Sequence, residues 1–218
     1  MRARNLRAHF PKAVLTLDAM GVLYKNADDV GDLLVPFVRD HGGTANVDDI
    51  NRAYVAASLG QITADQLWRS IGVDPRLEDE YLQGHVLAEG TMEMLSEASA
   101  LFSRICCLSN DIPRWSRRLR DRFGLREYIA AWFISGDMGC RKPALEIYDR
   151  LLFELDEPPN AVVFVDDRMQ NVLAAKSKGI TAILFGASSD DDSDLPCPLD
   201  MTQLRAALRD IVGTLEMR

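Results

Sequence analysis

A doubly wound α/β fold, a parallel sheet with helices on both faces and an inserted all-helical cap, is predicted by two patterns in the sequence. Five short apolar runs alternate with amphipathic stretches, as strands joined by crossover helices do. A long segment between the first two runs carries helical patterns only, which places an insert directly after the first strand.

The runs are AVLTLD, RICCLSND, AAWFIS, AVVFVDD and TAILF. Each is nearly continuous in apolar residues and is bounded by polar or turn residues, which suits strands buried on both faces. Between them, TMEMLSEASALF places Met92, Leu95, Ser99 and Phe102 on one helical face. PRWSRRLRDRFG opens at Pro113 and closes at Gly124, as helices often do. ALEIYDRLLFEL aligns Ile147, Tyr148, Leu151, Leu152 and Leu155, and two more helices end at Gly179 and Gly213. In the insert, GDLLVPFVRDHGG and VDDINRAYVAAS come first. TADQLWRSIG follows, with a capping box at Thr63 and Gln66, then DPRLEDEYLQG, which begins around Pro75. The expected division is a core of 1–26 and 86–218 with a cap of 27–85. Hinges are expected near Tyr24 to Ala27 and His85 to Gly90.

The 218 residues suit one large domain or a core with a small insert. Apolar residues form 47% of the chain, enough for a full core. Lys and Arg number 25 against 33 acids, a net charge of −8, which argues against nucleic acid or an anionic membrane as the main partner. The basic start, MRARNLRAHFPK, has no signal-length apolar stretch, and no run could span a bilayer. Cys106, Cys107, Cys140 and Cys197 show no metal-type spacing. Free thiols in a cytoplasmic protein are expected. The tract SSDDDSD at 188–194 reads as an exposed acidic loop.

In an open α/β sheet, ligands bind beyond the carboxyl ends of the strands, where strand order reverses. Three predicted strands end on Asp18, on Ser109 with Asn110, and on Asp166 with Asp167. The stretch GCRKPALEIY adds Lys142, one of only five lysines, before a proline that opens a helix. Carboxylates bind hard cations, a serine hydroxyl with backbone N–H groups can hold phosphate oxygens, and an ammonium offsets charge on both. The set suits a phosphate held beside a magnesium ion. Asn171 is placed to support the acids. His9, His41 and His85 have no ligand spacing, Trp68, Trp115 and Trp132 read as packing residues, and RWSRRLR reads as a solvated face from which Arg114 alone could reach a substrate.

Taken together, these residues resemble the haloacid dehalogenase superfamily along nearly the whole chain. Asp18 with Gly21-Val22-Leu23 is similar to its first motif, Ser109 to the second, Lys142-Pro143 to the third and Asp166-Asp167 to the fourth. The resemblance implies a phosphatase-like hydrolase in which Asp18 attacks an electrophile to form an aspartyl intermediate that water cleaves. It implies Ser109, Asn110 and Lys142 as phosphate-binding residues. It also implies Mg2+ held by Asp18, the backbone carbonyl of Met20, and Asp167, with Asp166 acting through water.

Met20 is the departure. Phosphatases of this family usually have a second Asp there, which protonates the leaving group, and such help is worth on the order of 10²- to 10⁴-fold. Tyr24, Lys25, Asp28 or Asp29 is positioned to replace it. The expected activity is magnesium-dependent hydrolysis of a small phosphorylated metabolite, with substrate choice in cap residues such as Arg52, Tyr54 and Trp68. The alternative is a catalytically impaired protein that binds a phosphorylated ligand or partner. A 2-haloacid dehalogenase is disfavoured by the paired acids, and a carbon–phosphorus lyase by the absence of lysine from Asn26 to Gly90.

Overall fold

The computed structural model describes residues 13–186 and 195–215. The basic start, His9, Lys12 and the acidic tract at 188–194 lie outside them. The chain runs β1 (Val14–Leu17), α1 (Val35–Asp40), α2 (Val47–Ser58), α3 (Ala64–Ser70), α4 (Glu78–Gln83), α5 (Thr91–Leu101), β2 (Arg104–Ser109) and α6 (Pro113–Arg122). It continues through β3 (Ile129–Ile134), α7 (Ser135–Met138), α8 (Leu145–Leu155), β4 (Val162–Asp166), α9 (Met169–Ser177), β5 (Thr181–Leu184) and α10 (Met201–Leu215). The five strands are those expected, each within a residue or two of its predicted bounds.

All strand pairs are parallel, in the order β3-β2-β1-β4-β5. From β1 the chain builds outward through β2 and β3, then returns to the other side of β1 for β4. The order therefore reverses at β1 and β4, and the C-terminal ends of β1, β2 and β4 lie side by side.

Successive strand residues feed two cores, one on each face. Leu15, Leu17, Cys107, Val163 and Val165 belong to one, and Val14, Cys106, Leu108, Val162 and Phe164 to the other. Ile147, Tyr148, Leu151 and Leu155 of α8 cover the second face with Val172 and Ala175 of α9. Full burial of one such side chain contributes about 2 kcal/mol. On the first face lie α5, α6 and α10 with the insert. The buried residues of α5 are Thr91, Met94, Leu95 and Ala98, so the expected face was rotated: Ser99 is exposed and Met92 only half-buried. The true stripe was hidden by the short, weakly apolar Thr91 and Ala98.

The insert is helical throughout, as expected. Its first helix is split: Asp29–Leu34 forms a wide helical turn that tightens into α1 at Val35, next to Pro36, which lacks an amide donor. Thr63 and Gln66 form the predicted capping box. Where the insert leaves and rejoins the sheet, the two connections pair with each other. Lys25 N donates to Val86 O at 3.0 Å and Ala88 N to Leu23 O at 3.0 Å.

The seam between insert and core is a packed interface. Trp115 of α6 lies among Tyr54, Trp68 and Tyr81 of the insert, with ring centroids 4.8 to 6.2 Å away. Glu78, only 3% exposed, accepts hydrogen bonds from Trp68 Nε1 at 2.9 Å and Trp115 Nε1 at 2.8 Å. It also pairs with Arg114 at 2.6 Å and Arg118 at 3.0 Å. Arg122 Nη1 donates to Leu82 O at 2.6 Å. The RWSRRLR run is thus the core's grip on the insert, and only in part a solvated face. Charge pairing across the seam, invisible in the local pattern, overrides that expectation. The four cysteines are free, and no described helix is long and apolar enough to cross a membrane.

Candidate active site

The site is built where the three strand ends meet. Asp18 follows β1, and its amide donates to Val165 O on β4 at 2.9 Å. The chain then turns sharply: Gly21 N donates to Asn26 O and Tyr24 N to Ala19 O, each at 2.8 Å. Gly21 has φ +72°, and a Cβ there would stand 2.5 Å from Asp167 Oδ2. Only glycine permits both the turn and that approach.

Lys142 is the cation among the acids. Its Nζ lies 2.8 Å from Asp18 Oδ1, 2.7 Å from Asp166 Oδ2 and 2.8 Å from Leu108 O, fully buried. Asn110 fixes it from behind: Asn110 Oδ1 accepts from Lys142 N and Asn110 Nδ2 donates to Lys142 O, both at 2.9 Å. The Asn110 side chain thus grips the lysine's backbone.

The paired acids divide their tasks. Asp166 is saturated: Oδ1 accepts from Arg168 N at 2.8 Å and Asn171 Nδ2 at 2.9 Å, and Oδ2 accepts from Lys142 and Asn171. Asp167 Oδ1 is buried with no hydrogen-bond partner. One carboxylate oxygen from each of Asp18, Asp166 and Asp167 lies within 4.8 Å of the others. Three carboxylates facing one ammonium form an all-oxygen donor set that fits a hard divalent cation, with Asp167 presenting the open oxygen. The electrostatics agree. Burial pushes Asp18 up to about 8 against the pull of Lys142, with Asp166 adding to the rise. Burial and then the charge of Asp166 push Asp167 up to about 6.

A small pocket of about 110 Å³ lies over this cluster. Asp18, Met20, Ser109, Asn110 and Asn171 line it from the core. Ser109 Oγ is buried and has no partner. From the insert come Asp28, Asp29, Asn51, Tyr54 and Val55. Of the residues expected to set specificity, Tyr54 is in the pocket, where its hydroxyl donates to Asn110 O at 3.2 Å. Trp68 is buried in the seam, and Arg52 pairs with Asp49 on the surface. Arg114 is engaged by Asp65 and Glu78 and does not line the pocket.

Of the four residues positioned to replace the missing acid, Asp28 and Asp29 line the pocket. Tyr24 is buried with its hydroxyl unpartnered, and Lys25 is exposed. Asp29 Oδ1 accepts from Tyr81 OH at 2.7 Å and lies 3.0 Å from His85 Nε2. His85 is therefore a buried partner of an acid and not a surface residue. Trp132 is half-buried, with Arg120 over its ring at 5.0 Å. Sequence reasoning missed Arg141 and Arg168, which line the pocket. The available signal was adjacency: one precedes Lys142, the other follows Asp167. It also missed Asn51, whose place on the Tyr54 face of α2 follows from helical spacing.

The family model of haloacid dehalogenase-like hydrolases matches residues 12–179. The chain belongs to that family. The chain is 28% identical over 148 residues to flavin mononucleotide hydrolase 1 of Arabidopsis thaliana, a chloroplastic protein by name, covering 65% of the chain and 60% of the relative. It is 37% identical over 65 residues to sesquiterpene phosphatase astK of Aspergillus oryzae, covering 27% of the chain and 33% of the relative. The chain thus spans less than two thirds of either relative's length. A HAD family enzyme from Bacteroides thetaiotaomicron, solved with magnesium and inorganic phosphate, superposes with a TM-score of 0.70 at 18% identity. That match covers 84% of this chain and 98% of the other, and it shows the shared fold.

Proposed function

We propose that this hydrolase is a magnesium-dependent phosphatase of small phosphorylated metabolites, with Asp18 as its nucleophile. The observation that carries the reading is the group of Asp18 and Asp166, buried around Lys142, and half-buried Asp167, with Asp167 Oδ1 left unpartnered. The names of the two curated relatives, a hydrolase of a phosphate ester and a phosphatase, support it. So does the magnesium and phosphate bound by the structural neighbour.

Asp18, Asp167 and the carbonyl of Met20 would hold the cation, with Asp166 supporting from behind. The cation would offset charge on the phosphoryl oxygens and leave the phosphorus open to attack. Ala19 N and Lys142 Nζ both hold Asp18 Oδ1, which orients Oδ2 as the attacking oxygen. Attack forms the Asp18–phosphorus bond and breaks the ester bond, and the leaving oxygen, with no acid at position 20, takes its proton from solvent water or a pocket acid. Water then cleaves the acyl phosphate, returning Asp18 and releasing inorganic phosphate. Lys142 holds Asp18 in place through both steps, and the unpartnered Ser109 hydroxyl donates to a phosphoryl oxygen. The two connections at 24–27 and 85–90 are the boundaries between core and cap, and the cap walls off the pocket.

Met20 favours one second reading, a protein that binds the phosphorylated ligand without turning it over. Phosphate release from sugar phosphates, nucleotides and an aryl phosphate, with magnesium and with chelator, separates the two. Magnesium-dependent release is expected. Silence on every ester, together with magnesium-dependent binding of inorganic phosphate, would instead establish the binding protein.

A further inference from the structure

Two guanidiniums in the pocket hydrogen-bond to neutral acceptors and not to an acid. Arg141 and Arg168 both line it, and neither is in an ion pair among the described residues. Their partners are neutral. Arg141 Nη1 donates to Ser58 Oγ, and its guanidinium carbon lies 5.7 Å from the centre of the Tyr54 ring. Arg168 Nη2 donates to Ala27 O at 3.1 Å. Burial lowers the pKa of Arg141 and the charge of Arg168 lowers it further, against the opposite pull of Tyr54 and Asp111. At the seam, by contrast, Arg114 faces two acids and its pKa is raised.

No acid among the described residues contacts the pair: Asp111 acts on Arg141, and Asp167 on Arg168, only beyond ion-pair distance. Asp29 is held by Tyr81 and His85, and Asp28 is an exposed rim residue. In a chain with eight more acids than bases, two like-charged side chains fixed by neutral acceptors around one pocket are pre-set for an anion. The reacting phosphoryl already has Lys142, Ser109 and the cation. Arg141 and Arg168 are left for something else on the same molecule.

We infer that Arg141 and Arg168 form a subsite for a second anionic group on the substrate, so that the substrate class is a phosphate ester bearing another acid. Resting on the phosphatase reading, this narrows its substrate class. A diphosphate and a phosphate with a nearby carboxylate share that chemistry.

Non-hydrolysable probes test it on the native protein. Binding of methylphosphonate, methylenediphosphonate and phosphonoacetate is measured by calorimetry in excess magnesium. One or both of the doubly acidic probes should bind at least about tenfold more tightly than methylphosphonate. Arg168→Gln, at an exposed position, and Arg141→Gln should each erode that preference while leaving methylphosphonate affinity within about twofold. Preference for methylenediphosphonate assigns a diphosphate, and preference for phosphonoacetate a carboxylate. Equal affinities for all three probes, or equal losses for all three in the variants, would overturn the subsite alone. Failure of methylphosphonate to bind, with no ester hydrolysed, would overturn the phosphatase reading itself.

Discussion

The strand-end site and the cap seam both bury charge, and they balance it in opposite ways. At the seam one carboxylate, Glu78, meets two arginines and two indole N–H groups, and its pKa is lowered despite its burial. At the site three carboxylates lie together and only two of them pair with the one lysine, and Asp18 and Asp167 are pushed upward. The seam is electrostatically complete without any ligand. The cluster itself carries more negative charge than its one lysine offsets, and burying such an excess is costly. A fold keeps an unbalanced cluster of this kind where a cation or a substrate completes it.

The largest effect should come from removing the proposed nucleophile. Asp18→Asn keeps the shape and removes one of the three crowded charges. Phosphate release should fall roughly 10³-fold or more, as for loss of a covalent nucleophile. The melting temperature of the metal-free protein should not fall. A melting point well below the native one would show that Asp18 holds the fold together, and the contrast with the seam would fail. Restoring the absent acid comes next. Met20→Asp should raise turnover by roughly 10²-fold if proton transfer limits the native enzyme. No gain would mean that another pocket acid, Asp28 or Asp29, already moves the proton.

The two regions also differ in how far the sequence reveals them. Asp18, Ser109, Lys142 and Asp166-Asp167 could be read because each ends an apolar run or opens a helix, and the parallel order then brings those ends together. That inference needs only the period of the chain and the switch-point rule. Glu78 carries no such mark. It sits in an acidic stretch, EDE, where every residue looks solvated, and its partners Arg114 and Arg118 are 36 and 40 residues away. The pairing depends on how the cap docks, which no local pattern encodes. Arg141 fell between the cases: its neighbour Lys142 was legible, but its lack of an acid partner is a fact of three dimensions.

Breaking the seam's balance should cost stability and leave chemistry alone. Glu78→Gln removes the charge that two arginines and two indoles were arranged around. A loss of about 3 kcal/mol is expected in urea unfolding, at the low end for a broken buried pair because both arginines reach water. The pH dependence follows in sign. Burial would raise the Glu78 carboxyl, but hydrogen bonds from Arg114, Trp115 and Trp68 hold it below its ordinary 4.5. A carboxyl whose pKa is lower in the folded state contributes its stability above the unfolded value, and that contribution fades as pH falls through the folded one. The native protein should therefore lose stability below about pH 4.5 by a component missing from Glu78→Gln. Identical acid profiles would show that Glu78 is not the group that titrates.

The smallest change separates a seam that only holds from one that gates. Arg118 pairs with Glu78 and Asp79 while 41% exposed, and exposed pairs contribute less than about 1 kcal/mol. Glu78 also keeps Arg114 and both indoles when Arg118 is removed. Arg118→Ala should thus shift stability by under about 1 kcal/mol and leave turnover unchanged. If turnover rises instead, the cap must open along this seam during each cycle, because a weaker grip speeds only a step in which the grip is released. Glu78 would then be part of the catalytic cycle as well as of the fold, and the separation between a completed seam and a waiting site would be one of timing more than of charge.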